Sequence, residues 1–158
     1  MTEHAVAATS RVEGAPGREF TLVKDVVITG EPGQHHLLDH QTQQPVSTLW
    51  SAYLARVRSA LPPRGAHPVL RRVSYALENE AFSGDPLRCG IRMTARTRRS
   101  CTLAAGLWHA GDGRTVHVAE LVTVFVDPSQ GGGAVAIPDD FWAEVERVEG
   151  RSIPMPEA

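Results

Sequence analysis

The sequence has no apolar stretch that approaches the roughly 20 residues of a membrane-spanning helix. Its N-terminus also lacks the basic start and apolar run of a signal peptide. A formal net charge of −2 and a pI near 6.4 give no general excess of basic charge. The composition therefore argues against a general binder of nucleic acid or of membrane surfaces, and we predict a cytoplasmic protein.

Cysteine is scarce, since Cys89 and Cys101 are the only two in 158 residues. Both lie in apolar, strand-like segments without the spacing of a zinc motif, so we expect buried, reduced side chains. With 42% hydrophobic residues, the chain is long enough to bury a core without disulfides or metals. We predict one domain over residues 18–148, between a disordered lead, Met1–Gly17, and a flexible tail, Glu149–Ala158.

Asp and Glu are absent between Val46 and Leu61, the segment around which we expect the fold to be organised. Pro45 would lie in the first turn of a helix there, and Pro62-Pro63 would end it. The helix is predicted from a stripe of apolar residues at helical spacing, which indicates one face buried in a core. The stripe consists of Val46, Leu49, Trp50, Tyr53, Leu54, Val57 and Leu61.

Strand-like segments precede and follow this helix. Runs rich in Val, Ile, Leu, Phe and Thr predict strands at residues 18–29, 69–82, 87–97, 99–110 and 114–126. Gly111-Asp112-Gly113 predicts a tight hairpin between the last two, because Asp and Gly tolerate positive φ. A short helix is predicted from Pro138 to Val148, with acidic residues in its first turn. One sheet packed on one helix is an α+β arrangement, and its open edges favour a dimer or larger assembly.

Over roughly residues 20–148, the order and spacing of these elements resemble the hot-dog fold. The similarity is to the 4-hydroxybenzoyl-CoA thioesterase-like acyl-CoA thioesterases. It is carried by the strand-helix start and by Ser83–Leu87, Arg98–Leu103, Asp112–Arg114 and Ala136–Phe141. The resemblance implies a long antiparallel sheet wrapped around a central helix, in a homodimer or homotetramer. It also implies an acyl-CoA or acyl carrier protein thioester as substrate, with no cofactor and no metal.

The loop before the helix matches three branches of this fold incompletely. The thioesterase motif Asp-x-x-Gly-His-Val-Asn-Asn is matched at Asp39, whereas the dehydratase motif His-Phe-Pro-x-x-Pro-Val is matched at His40 and Pro45-Val46. The Asp39-His40 pair is also similar to that of A-factor biosynthesis proteins. Dehydratases and one thioesterase branch place an acid on the central helix, where this chain has Leu54. Dehydration needs both an acid and a base, so the missing acid favours a thioesterase that uses a loop Asp.

The resemblance then implies Asp39 as the carboxylate that activates water or attacks the thioester carbonyl. Backbone N–H groups at the start of the Val46 helix would stabilise the oxyanion. Gln43 and Gln44 are candidates to orient the water or to donate a further hydrogen bond, and His40 is the fourth catalytic candidate. The alternative is that Asp39 only caps the helix.

Substrate-binding candidates lie in two further regions. Arginine suits phosphate because its guanidinium is a planar fork of donors, and the corresponding arginine-serine region of CoA thioesterases lies near the nucleotide end of CoA. Here that region contributes Arg96, Arg98, Arg99 and Ser100, unless these form only a solvated strand face. Val46 and Trp50 are candidate acyl-pocket walls, with a core role as the alternative.

The sequence leaves the roles of some further residues open. Glu78, Asn79 and Glu80 are interpreted as solvent or interface residues, one of which could reach a neighbouring subunit's site. A metal site built from the loop histidines His35, His36 and His40 with Asp39 is a weaker interpretation. The competing functional hypothesis is a non-hydrolytic hot-dog protein, either a dehydratase-like lyase or a silent acyl-binding dimer.

Overall fold

A computed structural model of the protein describes residues 3–5, 20–57 and 66–155. These residues form six strands and two α-helices, together with a 3₁₀ turn at Pro128–Gln130. The elements are β1 (Glu3–Ala5), β2 (Leu22–Val27), α1 (Asp39–Arg56), β3 (His67–Leu77), β4 (Pro86–Arg96), β5 (Ser100–His109), β6 (Thr115–Val126) and α2 (Asp139–Glu149).

The strands form one antiparallel sheet in the order β1-β2-β4-β5-β6-β3. The predicted hairpin joins β5 to β6, where the His109 N–H donates to Arg114 O at 2.8 Å and Gly113 has a φ of 76°. α1 packs against the inner face of the sheet, mainly on β4, β5 and β2. The predicted α+β hot-dog arrangement, a long antiparallel sheet around a central helix, is therefore confirmed.

α1 buries the apolar face that the sequence predicts. Val46, Leu49 and Tyr53 are at most 1% exposed and pack against the inward side chains of the sheet. Both cysteines are inward and fully buried, as expected. Burial raises the pKa of Cys101 to about 12 and raises that of Cys89 as well. Both side chains are therefore unreactive thiols in the folded protein.

The start of α1 differs from the prediction. The helix begins at Asp39, so Pro45 lies in its second turn rather than its first. The early start is stabilised by Gln41, whose Oε1 accepts from the Leu38 N–H at 2.8 Å and whose amide also bonds Gln34. α1 ends at Arg56, and the predicted end at Pro62 lies outside the described residues.

Both ends of the domain extend further than predicted. β1 pairs with Leu22–Lys24, so the prediction of a disordered lead is wrong for residues 3–5; residues 1–2 and 6–19 lie outside the described part. The flexible tail is likewise contradicted at residues 149–154. Ile153 is buried, and Pro154 O accepts from the Arg96 N–H at 3.1 Å. Neither helix of the described chain is long and apolar enough to span a bilayer.

Candidate active site

A cavity of about 360 Å³ lies between the first turn of α1 and the end of β3, and we call it the α1 cavity. Asp39 and Thr42 line it from the helix, and Val116 lines it from the start of β6. The opposite wall is formed by Leu77 and the residues that follow it. An exposed carboxylate and a helix N-terminus thus open into the same space.

The first turn of α1 has free hydrogen-bond donors beside Asp39. The N–H groups of Gln41 and Thr42 both donate to Leu38 O, at 3.0 and 3.1 Å. The Leu38 N–H is taken by the Gln41 side chain. The amides of Asp39 and His40 lie too early in the helix to bond within it, so they are the ones that can face a ligand. The positive end of the helix dipole favours negative charge at the same place.

The other predicted catalytic residues are not gathered around Asp39. Gln44 lines a separate groove of about 300 Å³ beside β2, on another side of α1. Gln43 is half-buried and His40 is exposed, and neither lines the α1 cavity. The structure therefore places Asp39 in the cavity without Gln43, Gln44 or the His40 ring.

The wall opposite Asp39 is formed by three residues that the sequence assigned to solvent or an interface. Glu78, Asn79 and Glu80 follow β3 and line the α1 cavity. The Asn79 side-chain amide donates to Thr115 O at 2.7 Å, and the buried His109 ring contacts Glu80 O through Nε2 at 2.9 Å. These bonds fix the wall to β6 and to the end of β5.

His117 is not among the residues predicted from the sequence, and it lies fully buried beneath the first turns of α1. Its Nε2 is 2.8 Å from Thr42 O, and its ring meets Tyr75 edge-on at a centroid distance of 5.2 Å. Burial lowers the pKa of His117, while the bond to Thr42 and the charge of Asp39 oppose that shift. The sequence signal was available: in β6 this histidine alternates with Ala119, Leu121, Thr123 and Phe125, an otherwise inward-facing set.

The predicted phosphate-binding residues lie at the other end of the sheet. Arg98 and Arg99 are exposed in the β4–β5 turn, which Thr97 and Ser100 close with a side-chain bond of 2.7 Å. Arg96 stacks over the Trp142 ring at 5.2 Å. From Val116 at the cavity to Val124 beside Ser100, β6 rises about 26 Å at roughly 3.3 Å per residue. One chain therefore does not bring these arginines to Asp39.

The predicted acyl-pocket walls belong to the core. Val46 is fully buried against the sheet, so it does not line an open pocket. Trp50 is half-buried, and its Nε1–H donates to Thr123 Oγ1 at 2.9 Å. Leu54, at the position where related enzymes carry an acid, is also buried in the core. Within the described ranges, no group of three or more His, Cys, Asp or Glu side chains is arranged to hold a metal ion.

No family model matches the sequence, and no curated protein matches it. Solved structures do match. A thioesterase superfamily protein from Jannaschia sp. CCS1 is 17% identical, with 85% of this chain and 87% of that chain covered and a TM-score of 0.66. A thioesterase from Thermus thermophilus, complexed with coenzyme A and Zn, is 20% identical, with 90% and 100% covered and a TM-score of 0.63.

A 12:0-ACP thioesterase from Umbellularia californica is also similar, at 14% identity, with 80% of this chain and 52% of that chain covered and a TM-score of 0.66. At such identities the likeness concerns the fold. The similarity to hot-dog thioesterases that the sequence predicts is thereby confirmed for the architecture: this chain has the hot-dog fold found in thioesterases.

Proposed function

We propose that the protein is an acyl thioesterase in which Asp39 is the catalytic carboxylate. The observation that carries the proposal is the placement of Asp39 at the N-terminus of the central hot-dog helix, facing a cavity. The volume of that cavity, about 360 Å³, lies at the small end of the range for ligand pockets and suits a short acyl group. Acyl-CoA and acyl carrier protein thioesters are both candidate substrates, because the similar structures include a CoA-bound thioesterase and an ACP thioesterase.

The chemistry follows from the groups at the helix start. The Asp39 carboxylate either takes a proton from an attacking water or attacks the thioester carbonyl itself. The amides of Asp39 and His40 donate to the oxyanion that forms on the carbonyl oxygen. When the C–S bond breaks in the general-base route, the sulfur takes the proton that Asp39 removed from water and leaves as a thiol. In the direct-attack route it leaves as a thiolate, which takes a proton from solvent. In the direct-attack route, water then hydrolyses the acyl-Asp39 anhydride and restores the carboxylate.

The dehydratase-like alternative finds less support in the structure. It requires a second acid from the helix, but Leu54 is apolar and buried away from the cavity. His40, which matches the dehydratase motif, lines no part of the cavity. A silent acyl-binding protein differs from a thioesterase only in activity, so a hydrolysis assay distinguishes the two.

A homodimer is part of the proposal. β3 pairs with β6 on one side, and its other edge pairs with no strand in the part of the chain that the structure describes. Val69, Val73 and Leu77 are 37%, 37% and 55% exposed along this strand of 11 residues. A long, exposed, apolar edge is covered efficiently by the same strand of a second copy. A cytoplasmic location, consistent with two reduced cysteines, also remains part of the proposal.

Thiol release from a panel of acyl-CoA and acyl carrier protein thioesters tests the function. We expect Asp39→Asn to reduce kcat by on the order of 10²–10⁴-fold, because the ionised carboxylate is lost. Asn retains the shape and the helix-start preference, so folding should be unchanged. Both cysteines are buried, which keeps the background of a thiol reagent low.

His40→Asn is the matched control, since it changes only the neighbouring side chain, which does not line the cavity, and keeps the backbone amide. It should retain most activity. Equal activity of Asp39→Asn and wild type would refute the carboxylate mechanism. No hydrolysis of any thioester by wild type would favour the non-hydrolytic alternatives, and a dehydration of β-hydroxyacyl thioesters that His40→Asn abolishes would identify the dehydratase-like one.

A further inference from the structure

Few contacts within the helix hold the first turn of α1: the Gln41 side chain accepts from the Leu38 N–H, but the turn has no side-chain N-cap. The residue that precedes the helix is Leu38, whose side chain provides no capping hydrogen bond. Pro45 has no N–H, so the carbonyl of Gln41 loses its usual partner four residues later. The segment that carries Asp39 therefore lacks a capping side chain at Leu38 and lacks one helical hydrogen bond at Pro45. Contacts from outside the helix, such as the Gln34 amide that donates to Gln41, therefore contribute to its position.

His117 provides such a contact from beneath. It is fully buried on β6, and its Nε2 lies 2.8 Å from Thr42 O, midway between Asp39 and Pro45. Thr42 in turn donates its hydroxyl to Asp39 O at 3.0 Å. A short chain of hydrogen bonds therefore connects the rigid sheet to the backbone of Asp39.

We propose that His117 is a positioning residue, which holds the first turns of α1 on the sheet and thereby sets the location of Asp39 in the cavity. The inference rests on the proposed function, because it gives Asp39 the catalytic role. A backbone carbonyl only accepts hydrogen bonds, so the contact requires a proton on Nε2. Nδ1 of the neutral ring is then an acceptor, and it has no partner among the described residues.

Apart from the charge of Asp39, the surroundings favour the neutral ring. α1 contributes Asp39 and Thr42, β3 contributes the edge of Tyr75, and the paired residues Leu77 and Leu107 are apolar. A second proton on Nδ1 would have no acceptor in the described structure. The ring therefore donates to Thr42 as a fixed donor rather than exchanging protons with the substrate.

A pair of substitutions separates the donor from the imidazole. His117→Gln places an amide N–H close to the former Nε2, whereas His117→Met fills the space without a donor. We expect His117→Met to lower kcat by roughly 10- to 100-fold with little change in KM, because small misplacement of a catalytic group is costly. His117→Gln should stay within a few-fold of wild type. In an Asp39→Asn background, His117→Met should cause no further loss of kcat.

Measurements that do not depend on activity test the hydrogen bond between His117 and Thr42 directly. NMR of the imidazole nitrogens should show the neutral Nε2–H form, and Asp39→Asn should lower the pKa of His117 because a nearby negative charge is removed. Amide exchange at residues 40–43 should be faster in His117→Met than in His117→Gln.

The two proposals fail in different ways. A His117→Met variant with wild-type kcat, when Asp39→Asn is inactive, would overturn the positioning role while the thioesterase stands. If wild type hydrolyses no thioester, the proposed function fails, and NMR still shows whether His117 donates from Nε2 to Thr42. An Nδ1–H tautomer, or equal amide exchange in the Met and Gln variants, would overturn the positioning role of His117.

Discussion

At the residue scale, the site combines the Asp39 carboxylate with the backbone of the first turn of α1. Asp39 is the first residue of α1, so its carboxylate and the free amides of the first turn share one location. The Thr42 hydroxyl donates to the carbonyl of Asp39, and the Thr42 carbonyl lies within hydrogen-bond distance of Nε2 of the buried His117 ring. The carboxylate could be identified from a motif in the sequence. The alternation of β6 indicates that His117 is buried, but its role could not be predicted, because it depends on a contact between residues 75 positions apart.

The buried ring of His117 should also make stability depend on pH. Burial lowers its pKa below the ordinary 6.5, so between the two values the unfolded chain binds a proton that the folded protein does not. The stabilisation is complete above about pH 6.5 and is lost as pH falls towards the lowered pKa. Each pH unit between the two pKa values corresponds to about 1.4 kcal/mol of stability.

Denaturant unfolding at about pH 7.5 and about pH 5 measures this dependence. We expect the free energy of unfolding to fall more in wild type than in His117→Gln, which cannot titrate. The other histidines and the carboxylates are present in both proteins, so their contributions cancel in the comparison. An equal loss in both proteins would show that His117 takes up its proton as readily in the folded protein as in the unfolded chain.

At the scale of elements, regular strands follow directly from the sequence, whereas the element ends do not. The alternation of inward Ala119, Leu121, Thr123 and Phe125 predicts β6, and Asp112-Gly113 predicts its hairpin. The start of α1 depends instead on side-chain bonds between Gln34 and Gln41, which no helical period reveals. The proline rule fails at Pro45 because tertiary packing and these bonds outweigh one missing N–H.

A buried polar cluster joins the two helices to the sheet. The carboxylate of Glu149, at the end of α2, accepts from the Tyr53 hydroxyl of α1 and from the Met93 N–H of β4 at 3.0 Å. Arg151 lies 3.7 Å from the other carboxylate oxygen. Burial, and then the charge of Glu149, strongly raise the pKa of Tyr53, so its hydroxyl stays protonated and remains a donor. This cluster explains why residues 149–151, at the start of the predicted tail, pack against the domain.

We therefore expect Tyr53→Phe to lower the free energy of unfolding by about 1.5–3 kcal/mol, the usual contribution of a hydrogen bond to a charged group. Arg147→Ala is the control on α2, because it removes an exposed pair with Glu144 and should cost less than about 1 kcal/mol. Urea denaturation of both variants measures the difference. Equal effects would mean that the Tyr53–Glu149 bond contributes no more than a surface pair.

At the scale of the whole molecule, the sheet separates the proposed catalytic carboxylate from the proposed CoA-binding arginines. Asp39 lies near Leu77, the last residue of β3, whereas Arg98 and Arg99 directly precede the first residue of β5. If β3 pairs antiparallel with β3 of a second copy, the start of one strand lies beside the end of the other. The partner's arginine turn is then on the same side as this chain's cavity. The sequence predicts Asp39 and the arginines as candidates, but it does not predict their separation at opposite ends of the sheet, which depends on strand order.

Subunit mixing tests this arrangement. The Asp39→Asn protein should be inactive, and Arg98→Ala/Arg99→Ala should have a raised KM for acyl-CoA, more strongly at low salt because exposed charge pairs are screened. In a hybrid dimer, one site combines an intact Asp39 with the partner's intact arginines. Co-refolding the two variants should therefore restore hydrolysis with the wild-type KM. Light scattering of wild type should show at least a dimer. Kinetics equal to the sum of the two parents would assign both groups to one chain, and a monomer at micromolar concentration would exclude the shared site.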